Sequence, residues 1–147
     1  MDRFETDILK KIVNSMPERT DHTLLGNVLA IGSYLVSNKL IPVDVIENKQ
    51  GAYALSIATT KNPVIKTLHI GDKLVVGREA GENGWKVEDP WMSCCHFAIL
   101  VDDQGVAFLE TYATKNGTFV NDKSVVEFIA LKRGDVIRAG NTSFILF

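Results

Sequence analysis

The chain has 147 residues, 46% hydrophobic and 23% charged, with 16 Lys and Arg against 18 Asp and Glu. That size and balance suit one domain, or one small domain with an appendage, built around a real core; they exclude a chain that is disordered throughout. A net charge of −2 excludes a protein that coats polyanions, so no nucleic-acid partner is expected and any affinity for phosphate must come from a local cluster.

Residues 2–39 read as helical. Asp2 and Glu5 can form a capping box. Phe4, Ile8 and Ile12 then recur every four residues, with Leu9, Val13 and Met16 beside them, in one apolar stripe. Residues 14–17 break the pattern, and a second helix is expected from Thr20 or Asp21. It carries Leu24, Leu25, Val28, Leu29, Ile31, Tyr34, Leu35 and Leu40, an apolar arc too broad for a lone surface helix. Cover must come from the first helix, from the rest of the chain or from a second copy; a homo-oligomer through these helices is one such arrangement. Gly26 and Gly32 would let helices approach closely. The first five residues lack the basic-then-apolar order of a signal peptide. The apolar stretch 24–36 is too short to span a bilayer, so no membrane partner is expected.

Beyond Ile41 the period changes. The expected division is a helical N-terminal segment, residues 1–45, and a β-rich domain, residues 50–147, joined by a connector punctuated by Pro42, Asn48 and Gly51. Ten β-rich runs follow, at residues 53–58, 64–70, 73–78, 85–87, 96–101, 106–112, 118–120, 124–131, 135–138 and 142–147. Turn residues separate most of them, and such a series indicates an antiparallel sandwich or barrel. Asp102-Asp103-Gln104-Gly105 is the strongest hairpin signal. Cys94 and Cys95 are neighbours, which strains a disulfide between them and points to a reducing compartment, hence a cytoplasmic location. Asn116-Gly117-Thr118 and Asn141-Thr142-Ser143 fit a glycosylation acceptor but read as turns.

Five signals occur in order across the second region: Gly77-Arg78; Ser93 with His96 three residues on; Asn116-Gly117-Thr118; Asn121; and Leu131-x-x-Gly134-Asp135-x-Ile137-x-x-Gly140. Arg78 ends a strand and enters a glycine-rich loop, where its guanidinium can fork onto a phosphate. Ser93 follows Asp89-Pro90, in a loop whose hydroxyl and backbone N–H groups can bond an anion. Asn116 can donate and accept at once, which suits a peptide backbone. Loops at one end of a sandwich would unite these groups on a rigid scaffold.

Together these signals resemble the forkhead-associated (FHA) family, from about Gly51 to Phe147, most diagnostically at residues 89–96 and at the Asn116-Gly117-Thr118 loop. The resemblance implies a mainly β fold, an antiparallel β-sandwich of about eleven strands preceded here by a helical hairpin. It implies a phosphothreonine-peptide-binding adaptor with no catalytic residue, no metal and no cofactor, whose partner is a protein phosphorylated by a Ser/Thr kinase. Arg78 and Ser93 would contact the phosphate and Asn116 the peptide backbone, while His96 would brace the Ser93 loop from behind. Gly77, Gly117, Thr118 and Asn121 would support the site. Cys94 stands where the family often has Arg, Lys or Asn, and Lys115 where Thr is common, so Lys115 could supply the charge that Cys94 does not. Trp91 and the turn at Gly140-Asn141-Thr142 would read the third residue after the phosphothreonine. An exposed indole makes an apolar anchor, so an aliphatic residue is expected there.

Other readings attach to the same residues. Arg78 could pair with Glu79 or Glu82, and Ser93 could cap a turn. Adjacent cysteines lack the spacing that lets two thiolates reach one zinc ion. A hydrolase on Ser93 and His96 lacks oxyanion donors and a substrate cleft. A phosphate-independent interaction module, with the helices making the contact, is the alternative function.

Overall fold

The computed structural model describes residues 22–47, 49–59, 61, 63–81, 83–112 and 114–147. The expected first helix and its capping box lie outside the described residues. The second helix is α1 (His22–Ser37). It closes with Lys39 at φ 57, as Lys39 N–H bonds Val36 O and Leu40 N–H bonds Leu35 O. This left-handed stop usually takes glycine; a lysine in it gives no sequence signal. The connector holds a single helical turn, α2 (Val43–Ile46), after Pro42, whose fixed φ suits a helix start.

Among the described residues eleven strands follow: β1 (Tyr53–Ile57), β2 (Ile65–Leu68), β3 (Lys73–Gly77), β4 (Trp85–Lys86), β5 (Phe97–Val101), β6 (Ala107–Thr111), β7 (Thr118–Val120), β8 (Lys123–Ser124), β9 (Phe128–Ala130), β10 (Val136–Ala139) and β11 (Thr142–Leu146). They form a six-stranded sheet, β2-β1-β11-β10-β7-β8, and a five-stranded sheet, β4-β3-β5-β6-β9. Neighbours run antiparallel except β3 and β4, where Val76 pairs in parallel with Trp85. The fold is mainly β, an antiparallel sandwich of two sheets, as expected.

One run needs correction. Residues 124–131 read as a single strand, but they split into β8 and β9, which lie in different sheets. The chain crosses at Val125–Glu127, where Glu127 takes φ 74 and its carbonyl accepts the Thr111 N–H. No glycine or proline marks this corner, so propensity alone could not show it.

The period-2 alternation places two cores. Phe97, Ile99, Leu109, Ile137, Phe144 and Leu146 point between the sheets. There Phe144 meets both Phe97 and Trp85 edge-on, with centroids 5.4 Å apart. On the other face of β1 and β11, Ala54, Ile145 and Phe147 pack against Val28, Ile31, Leu35 and Val36 of α1 and Val45 of α2. Within the expected apolar arc, Val28, Ile31 and Leu35 are thus covered by the chain's own sandwich, while Leu40 stays 41% exposed. One cluster spans the expected boundary at residues 45–50. No helix among the described residues is long and apolar enough to cross a membrane.

Candidate functional site

The site is built where strands end. β3 stops at Gly77, where a Cβ would run into the carbonyl of Cys94, so only glycine lets the strand lie against the 93–95 segment. Arg78 N–H then donates to Ser93 O and Glu79 N–H to Cys94 O, each at 3.0 Å. These bonds staple the Arg78 loop to the Ser93 loop. The Arg78 side chain is exposed, and its Nη2 lies 3.5 Å from Cys94 Sγ. That thiol in turn lies 3.3 Å from Glu79 Oε2. Among the described residues Arg78 has no ion pair; the Cys94 sulfur stands between its guanidinium and the nearby Glu79 carboxylate.

His96 is fully buried at the start of β5 and joins two loops. Its Nδ1 accepts the Ser93 N–H at 3.0 Å, which leaves the proton on Nε2 to donate to Gly117 O at 2.7 Å. Both ring nitrogens are therefore committed to backbone. Neither is left to act as a base on the Ser93 hydroxyl, so the pair is not a hydrolytic dyad. Gly117 holds φ 78, and Gly117 N–H bonds Thr114 Oγ1 at 2.9 Å. Thr118 is buried with its hydroxyl 2.7 Å from that of Thr111, fastening β7 across to β6 at the mouth of the loop.

A third junction was missed by sequence reading. Asp89 is 5% exposed. Its Oδ1 accepts the Trp91 N–H at 2.8 Å, while Oδ2 accepts the Asn141 N–H at 2.7 Å and the Thr142 hydroxyl at 2.8 Å. Burial raises the pKa of this carboxyl, but the bonds from Thr142, Trp91 and Asn141, with His96 nearby, outweigh it and hold the group below its ordinary 3.8. Gly140 (φ 59) completes the junction, because a Cβ there would lie 2.7 Å from Asp89 Oδ2 and 2.9 Å from Met92. The partners lie about fifty positions along the chain from Asp89, so no local pattern announces them; an Asp ahead of a Pro was the one available signal.

Arg78, Ser93, Cys94, Trp91 and Asn116 are brought together at one end of the sandwich. Asn116 donates from Nδ2 to Trp91 O at 2.9 Å, bridging the two loops. Trp91 is 60% exposed, beside the buried Met92. Lys115 is exposed next to Asn116. Asn121 is not brought to the rim. It stands at the far end of β7 with φ 50, where Val136 N–H donates to its Oδ1 and its Nδ2 donates to Asp135, both at 3.0 Å. Its work is to pin the β7–β8 turn to the start of β10. Cys94 and Cys95 are both free and exposed. Among the described residues no cluster of His, Cys, Asp and Glu could hold a metal ion.

Residues 74–140 match the family model of the FHA domain. The FHA domain of FhaA, crystallised with the intracellular domain of Rv3910, is 29% identical, with a TM-score of 0.56 over 65% of this chain and 99% of its own. An FHA domain studied for phosphothreonine-dependent interactions is also 29% identical, with a TM-score of 0.57 over 65% and 94%. The FHA domain of CT664 from Chlamydia trachomatis agrees in fold at 22% identity, with a TM-score of 0.61 over 65% and 95%. No curated protein matches the chain in sequence. With its two sheets, its eleven strands among the described residues and its loop motifs in order, this chain carries an FHA-like β-sandwich, similar to the FHA domain family over residues 74–140.

Proposed function

We propose that the chain is a cytoplasmic adaptor that binds phosphothreonine-containing proteins, the products of a Ser/Thr kinase, through the rim formed by Arg78, Ser93 and Asn116. The observation that carries this reading is the bracing of that rim. Arg78 is stapled to Ser93, and one buried histidine ties Ser93 to the loop of Asn116. A preset rim spends little entropy on binding, which a shallow surface site needs. The phosphothreonine-dependent interactions of a relative at 29% identity agree with it.

The phosphate brings a charge of about −1.5 to −2 and three acceptor oxygens. Arg78 meets it as a bidentate fork, and the Ser93 hydroxyl, which has no hydrogen-bond partner among the described residues, adds a donor. Lys115 supplies charge from the opposite loop. Cys94 lends no charge, but its sulfur holds the guanidinium at the rim. Asn116 leaves Trp91 O to bond the peptide backbone. The threonine methyl fills an apolar dent, worth about 0.8 kcal/mol or roughly fourfold over phosphoserine. Trp91 takes an aliphatic side chain three residues on.

The test is calorimetry against an oriented phosphothreonine library with phosphoserine and unphosphorylated controls. Arg78→Ala should weaken binding about tenfold or more, since charge-assisted hydrogen bonds contribute roughly 1.5–3 kcal/mol. Its melting temperature should hold, because the side chain is exposed. Unchanged affinity would remove Arg78 from the phosphate site.

A further inference from the structure

The face of the five-stranded sheet turned away from the core carries a groove of about 640 Å³ that the loop rim does not use. Its floor is apolar, made by Leu100, Phe108 and Phe128. The rings of Phe108 and Phe128 meet edge-on at 6.3 Å, and Phe128 remains 66% exposed. Val126, just before β9, is 81% exposed. The bared Phe128, with Phe108 and Leu100 on the same face, forms an apolar patch of the kind that marks an interaction surface.

Charge and backbone say what would fit. The groove is bordered by the carboxylates of Asp72, Asp102, Glu110 and Glu127 against the single ammonium of Lys73. A cationic segment is therefore favoured and an acidic one repelled. β9 is also the outer strand of its sheet among the described residues. Thr111 N–H donates to Glu127 O and Leu131 N–H to Ala107 O, so Glu127, Ile129 and Leu131 turn their backbone groups towards β6. By the alternation of an antiparallel ladder, Phe128 and Ala130 turn theirs outward. An added strand can use those groups.

We infer that β9 and the groove beside it are a second docking surface, for an extended protein segment with alternate apolar side chains flanked by Lys or Arg. This surface needs no phosphate and stands apart from the Arg78 rim, so it does not depend on the phosphothreonine reading.

The probe is a short synthetic peptide of alternating Leu and Lys without Ser or Thr, titrated into the full chain beside a Leu and Glu counterpart. The expected result is saturable binding of the cationic peptide alone, weakened by added salt. Amide shifts should centre on Phe128 and Ala130. Phe128→Ser, at an exposed position, should lose about tenfold or more of that affinity, as truncation of an aromatic anchor does. Glu110→Lys, which faces the groove without filling the core, should weaken it too. Both variants should keep the affinity for a phosphothreonine peptide that the unaltered chain shows. Equal binding of both peptides, or of neither, would overturn the inference. So would a concentration-dependent dimer in sedimentation that Phe128→Ser abolishes, which would assign the face to a second copy of the chain.

Discussion

At the scale of single residues the rim rests on side chains that never need to touch a ligand. Asp89 is the clearest case. Because its folded pKa is depressed, its stabilisation is fully present above the ordinary carboxylate range. It is lost as pH falls from about 3.8 through the folded value. Asp89→Asn should therefore flatten the acid end of the stability profile and lower the melting temperature at pH 7. An amide cannot accept from Trp91, Asn141 and Thr142 at once, and one stranded donor costs about 1–3 kcal/mol. An acid limb identical to that of the unaltered chain would show that Asp89 is not the hub. His96→Ala strands both the Ser93 N–H and the Gly117 carbonyl, so thermal stability and phosphopeptide binding should fall together. A variant that keeps its melting temperature and loses all binding would mean that His96 contacts the ligand itself. The motif spacing made His96 and Gly77 legible. It did not carry the reason for Gly77, which is the carbonyl of Cys94 pressed against it, nor the bonds that join Asp89 to a turn far along the chain.

At the scale of elements, strands with turn residues between them could be read, and corners made without glycine could not. The crossing at Val125–Glu127 and the helix stop at Lys39 both put ordinary side chains at positive φ, the first held by a bond from Thr111 and the second by the helix's own last carbonyls. The helix α1 was legible as an amphipathic segment in need of cover, but not what covered it. The β11 alternation supplies the answer: Phe144 and Leu146 face the sandwich core while Ile145 and Phe147 face α1. A chain that lacks residues 1–45 would bare Ala54, Ile145 and Phe147, which are at most 1% exposed in the intact fold. Burying two such large side chains contributes about 3 kcal/mol or more. The truncated sandwich should therefore melt well below the intact chain while keeping its phosphopeptide affinity, since among the described residues the rim loops bond none of the helical ones. An unchanged melting temperature would show instead that residues 1–45 are a separate domain.

At the scale of the whole molecule, the fold separates stiffness from contact. Two cores back the six-stranded sheet on both faces, and the junctions at Gly77, His96 and Asp89 lock the loops to strand ends. In the proposed function, recognition falls to side chains on the surface of that frame, Arg78, Ser93, Lys115, Asn116 and Trp91. The central claim is that this rim takes up phosphothreonine, and the most direct measurement is a nuclear magnetic resonance titration of the labelled full chain. A phosphothreonine peptide with an aliphatic residue three positions on should saturate. Amide shifts should be concentrated at Arg78, Ser93, Cys94 and Asn116, with none from the unphosphorylated peptide. Shifts confined to β9, or equal responses to both peptides, would contradict it.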